Sequence, residues 1–99
     1  MASGLRVEDR LDRQSNFGAW KERIISVLEE DEVWDIVEKA VTPPTNATQL
    51  VAYKKNNIKA KRLILDGVKD HVIPHVRGKD HAFQVWEALT NLYQSSNEN

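Results

Sequence analysis

Apolar residues in this chain recur every three or four positions, and no segment alternates with period two beside turn residues. That spacing makes one stripe on an α-helix and cannot make one face of a strand. The expected fold class is therefore all-α, a small bundle of four main helices and one short helix. After a candidate N-cap at Asn16, the residues Phe17, Trp20, Ile24, Val27 and Leu28 share a helical face. The acidic run Glu29 to Glu32 opposes a helix C-terminus and suits an N-terminus. It predicts a tight junction and a second helix from about Asp31 or Glu32, with Val33, Trp34, Val37, Ala40 and Val41 as its apolar set. Pro43 and Pro44 stop that helix, because neither donates to a helical ladder and each disfavours helix in the residue before it. Asn46 and Gln49 then form a capping-box pattern opening a long helix that runs to about Asp66, with Gly67 as its stop. Leu50, Tyr53, Asn57, Ala60 and Ile64 make one stripe on it and Val51, Ile58 and Leu65 a second. So wide an apolar arc predicts a helix at the centre of the bundle. Val68 to Arg77, interrupted by Pro74, reads as a short irregular element ending at Gly78. Asp80 is the next candidate N-cap, before the face Ala82, Val85, Trp86, Leu89, Leu92 and Tyr93. The domain reading is a flexible leader over residues 1–15, in which Leu5, Val7 and Leu11 dock loosely, a helical domain over 16–94, and a frayed tail over 95–99.

The 99 residues suffice for one core, and 40% apolar content is too high for a disordered chain. The chain has no cysteine, which excludes disulfide scaffolds, iron–sulfur sites and cysteine-bearing zinc knuckles. Apolar runs are too short to span a membrane, and the charged N-terminus has no apolar signal core. The expected compartment is cytoplasmic, with entry to the nucleus by diffusion.

Charge is divided along the chain although the net is only −1. Residues 16–46 are acidic. Residues 47–79 carry Lys54, Lys55, Lys59, Lys61, Arg62, Lys69, Arg77 and Lys79 against Asp66 and Asp70, and residues 80–99 are acidic again. Five of those bases, Lys54 to Arg62, fall within about 160° of a helical wheel, opposite Tyr53, Ala60 and Ile64. Such a face is a solvated surface, an RNA phosphate contact or a docking surface for acid on another copy. No aromatic residue interleaves with the lysines, so base stacking is not indicated.

Little in the sequence suggests chemistry. His71 and His75 are four apart, with His81 beyond, but Pro74 breaks the helix a zinc pair would need and no glutamate occupies a general-base position. They read as surface histidines in a connector. The sequon Asn46-Ala47-Thr48 reads as a helix cap. There is no glycine-rich phosphate loop, nucleophile elbow or buried carboxylate pair. No enzyme activity, cofactor or metal is expected, and Trp20, Trp34 and Trp86 read as core.

Asn16-Phe17-Gly18-Ala19-Trp20, then Leu28, then Val33-Trp34-Asp35-Ile36-Val37 resembles the start of the Gag polyprotein of copia-type LTR retrotransposons, particularly the plant ones. Ala60, Ile64 and Leu65 match that family's alanine-rich helix. Ala82, Trp86, Leu89 and Tyr93 match its Ala-x-x-x-Trp-x-x-Leu-x-x-x-Tyr helix. The resemblance runs from about Leu11 to Ser96, with Phe17, Trp20, Leu28, Trp34, Tyr53, Ile64, Trp86, Leu89 and Tyr93 as core and signature positions. It implies a capsid-like role: a helical N-terminal domain whose copies assemble into virus-like particles around RNA. The family's following helices and its zinc knuckle have no counterpart here, so the chain reads as an isolated N-terminal domain or a truncated, domesticated one.

The resemblance and the charge pattern together predict self-association, with a basic face (Lys54, Lys55, Lys59, Arg62) meeting an acidic face (Glu29, Glu30, Glu32, Asp35). Two alternatives stand beside it. One is an adaptor that takes a host protein in a helix-lined groove or dimerises by exchanging its last helix, which would leave Trp86 and Leu89 uncovered. The other is weak, non-specific RNA binding by the basic helix.

Overall fold

A computed structural model describes residues 5–93. The α-helices are α1 (Phe17–Glu30), the single turn α2 (Asp35–Glu38), α3 (Ala47–Asp66) and α4 (Ala82–Tyr93); 3-10 turns cover Val7–Asp9, Gln14–Asn16 and Asp70–His75. The fold is all-α, as the periodicity requires. The expected tail over 95–99 lies outside the described residues. The principal extents are 42 × 34 × 21 Å. The short axis is about two helix diameters, so one layer of core serves the whole molecule. In it α4 packs on α2 and α3, and α1 packs on α3.

Two helix signals act as expected. Asn46 caps α3, its side chain accepting a hydrogen bond from the Gln49 backbone N–H at 3.1 Å. The connector ends at Gly78, whose φ of +89° suits glycine.

Several expectations are corrected. Asn16 does not cap α1 with its side chain. Its Oδ1 accepts from the backbone N–H groups of Asp12 (3.0 Å) and Arg13 (3.1 Å), and its Nδ2 donates to the Arg10 carbonyl (2.9 Å). It therefore closes the turn before the helix. Leu11, expected to dock loosely within a flexible leader, is fully buried. It forms a parallel β-bridge with Val68, its N–H donating to Gly67 O and its carbonyl accepting from Lys69 N–H, both at 2.9 Å. This pairing between distant segments leaves no periodic trace in sequence.

The acidic run does end a helix. At the close of α1, Val33 N–H donates to Leu28 O (2.9 Å) and Glu32 N–H to Glu29 O (3.0 Å), with Glu32 left-handed at φ 61°. These are the two hydrogen bonds of a Schellman close, with Leu28 and Val33 buried beside each other in the chain reversal. Burial of that pair outweighs the unfavourable dipole. A left-handed glutamate costs about 1–2 kcal/mol, whereas glycine there adds under about 1 kcal/mol of unfolded-state entropy. Glu32→Gly is thus expected to raise Tm by about 3–6 °C; a lower Tm in a thermal melt would contradict this account of the turn.

The second helix is one turn rather than a main helix. Ala40 and Val41 lie outside any helix and are exposed. The α3 helix is not central along its length either. Only Ala60 and Ile64 are buried, while Val51 is 56% and Ile58 64% exposed. The stripe of Val51 and Ile58 lies inside the lysine arc, so the two stripes do not merge into one buried face.

Candidate functional site

The signature residues converge. Tyr93 stacks on Phe17 (centroids 5.9 Å apart) and Phe17 lies against Trp20 (5.8 Å). Trp20 stacks on Trp86 (5.8 Å), and Trp86 and Trp34 form a T-shaped pair (5.2 Å). Offset and edge contacts of this kind add to the area each ring buries. They join α1, α4 and the α1–α2 junction, and Leu28, Ile64 and Leu89 complete the same core. Trp20 also donates its indole N–H to the Gly67 carbonyl at 2.7 Å. A methyl group on Gly67 would stand 3.1 Å from Ile24 Cδ1, so glycine permits the close approach of α1 to the end of α3. Burial, and secondarily the charge of Asp12, push the Tyr93 phenol above its ordinary value. Raised in the fold, it favours the neutral ring, and its contribution to stability holds below about pH 10 and is lost as pH rises through the folded value.

Trp86 and Leu89 are both covered within the chain, Leu89 completely. The uncovered face on which helix exchange was argued is therefore absent. Tyr53 is not core. It is half-buried and lines an open groove of about 270 Å³ with Ile36, Val41, Pro43, Phe83 and Glu87. Sequence offered a helix-lined groove only in outline, because its lining comes from α2, the α2–α3 linker, α3 and α4.

The start of α4 is held in an unexpected way. Asp80 does not cap it by its carboxylate. Asn57, half-buried on α3, accepts from Ala82 N–H (2.8 Å) and donates to the Asp80 carbonyl (3.1 Å). The Gln84 side chain reaches back to the N–H groups of Asp80 and His81, each at 3.1 Å. The signal for Asn57 was present: an amide inside the stripe of Tyr53, Ala60 and Ile64 must find partners when it is covered.

The α3 cations are exposed on the arc the wheel gave them. Lys54, Lys55, Lys59 and Arg62 are exposed on α3, and Glu29, Glu30, Glu32 and Asp35 are exposed around the α1–α2 junction. Arg62 reaches Asp66 at 3.8 Å along its own helix. Among the described residues no ion pair joins one face to the other. Lys61 turns aside to donate to the Lys79 carbonyl at 3.0 Å. The three histidines are exposed and do not gather. His71 Nε2 donates to the Asp12 carbonyl at 2.7 Å, which ties the N-terminal segment to the connector.

A one-layer helical bundle with an aromatic core and opposite charge on separate exposed faces is a structural domain that presents surfaces. Sequence comparison gives the family: the model for the gag polypeptide of LTR copia type matches residues 24–99. The chain belongs to that family, and with it to a structural, Gag-like role. The Asn16 to Trp20 part of the resemblance precedes the matched segment. No curated protein and no solved structure matches the chain. Among the described residues no helix is long and apolar enough to cross a membrane.

Proposed function

We propose that this domain is a self-associating Gag unit that contributes to virus-like particle assembly, its copies meeting through opposite charge. The observation that carries the reading is the separation of the two exposed faces. Four cations stand on α3 and four carboxylates at the α1–α2 junction, with no ion pair between the faces in one chain. Opposite charges on different faces of one molecule favour head-to-tail contact, which closes into rings or continues as a lattice. Membership of the copia-type gag family supports the assembly role.

Sedimentation velocity at two salt concentrations tests it. The screening length falls from about 10 Å at 0.1 M salt to about 3 Å at 1 M, so association is expected to weaken at least about tenfold over that range, by the fall in Coulomb attraction. Lys55→Glu with Lys59→Glu is expected to weaken association at low salt while leaving Tm within a few degrees, because both side chains are exposed. A monomer at every concentration, or association indifferent to salt, would sink the proposal.

A second reading, a host-protein adaptor, is supported by the groove between α2 and α4. A domain that stays monomeric yet binds apolar peptides there would favour it.

A further inference from the structure

The geometry points to a particular contact between copies: the Val51–Ile58 ridge of α3 enters the Ile36–Phe83 groove of a second copy, with Lys55, Lys59 and Arg62 against that copy's Glu87 and Asp35. This rests on the self-association reading, keeps its basic face and Asp35, and sets the α2–α4 groove rather than Glu29, Glu30 and Glu32 opposite the cations.

The ridge is apolar within a basic surround. On the wheel, Val51 and Ile58 lie about 20° apart, and Lys54, Lys55, Lys59 and Arg62 flank them on both sides. More than half the surface of each apolar side chain is in water. The groove is its counterpart. Ile36, Val41, Pro43, Tyr53 and Phe83 give it its apolar part, and His81, Gln84 and Glu87 give it a polar part with one carboxylate. The exposed Asp35 precedes Ile36 on α2. An apolar knob flanked by cations therefore has a groove with an apolar part and a carboxylate at Glu87 to receive it, and apolar contact supplies attraction that salt does not screen.

The placement on α3 decides the symmetry. Tyr53, in the groove wall, lies about 140–160° around the helix from Ile58 and Val51. Each copy thus carries the knob on one side of α3 and the hole on the other. A ridge filling a neighbour's groove leaves its own groove open for a third copy, which is a heterologous contact. Two ridges facing each other would instead bring six or more lysines and arginines together, which charge repulsion opposes.

The native chain has no cysteine, so single introduced thiols report contacts without background. Ile58→Cys and Val41→Cys alter exposed positions. The two variants are mixed under mild oxidation and compared with each alone. A disulfide forms only when the two Cα atoms come within about 7 Å. The mixture is expected to give the 41–58 heterodisulfide in at least about tenfold excess over either homodisulfide, the equivalent of about 1.4 kcal/mol of preference. A dominant 58–58 homodisulfide would overturn the contact in favour of paired α3 helices and leave self-association standing. Salt-sensitive association without the 41–58 link would overturn the contact alone. Monomers throughout would overturn both readings.

Discussion

Trp20→Ala is expected to lower Tm by about 15–30 °C. Removing a buried aromatic side chain costs about 3–5 kcal/mol, and each kcal/mol moves Tm by about 4–8 °C in a domain of this size. The indole is fully buried, lies between Phe17 and Trp86, and donates to Gly67 O. The change breaks the aromatic line at its middle and removes one of the two donors to the Gly67 carbonyl; the Leu11 N–H remains. With a total stability of about 5–15 kcal/mol, the variant retains little margin at 37 °C. Trp20→Phe keeps a ring and loses the donor, and is expected to cost about 1–2 kcal/mol from the hydrogen bond. Far-UV circular dichroism melts of both variants check the pair. A shift below about 4 °C for Trp20→Ala, the effect of about 1 kcal/mol, would mean that the core does not depend on this ring.

Leu11→Ala is expected to cost about 2–4 kcal/mol, a drop in Tm of about 10–25 °C. A leucine in an unattached leader would cost almost nothing when truncated. This one has no exposed surface, and its backbone bonds on both sides to the chain around Val68. The bridge fixes the backbone, so neighbouring atoms have little freedom to fill the void. Chemical denaturation gives the free energy directly. A loss under about 0.5 kcal/mol, the range of surface substitutions, would restore the reading of residues 1–15 as detached from the core.

Helix α1 and helix α4 were legible because their stripes are clean: Phe17, Trp20, Ile24 and Leu28 on one, Ala82, Val85, Trp86 and Leu89 on the other. The basic face was legible for the same geometric reason. The length of α2 is not legible because Ala40 and Val41 continue an apolar spacing that the chain abandons before the prolines. Propensity is a weak guide over a single turn, and here the groove beside Phe83 takes Val41 as part of its lining. The exposure of the Val51–Ile58 stripe is not legible because seven-residue spacing does not say whether a neighbour covers it.

Sequence alone determined the all-helical class, the cap of α3 at Asn46, the breaks at Gly67 and Gly78, the tryptophans and Phe17 of the aromatic core, and the division of charge along the chain. Each of these follows from local geometry: the helical period, the side-chain chemistry of a cap, the freedom of glycine, and the angle between side chains on one helix. Tertiary structure decided the rest. It set Leu11 beside Val68, pointed the Trp20 indole at Gly67, made Asn57 the support of α4, and left the Val51–Ile58 ridge outside with a groove on the opposite side of α3. Those outcomes depend on which distant backbone and side-chain groups become neighbours when one thin layer of helices closes, and no periodicity within a segment encodes that.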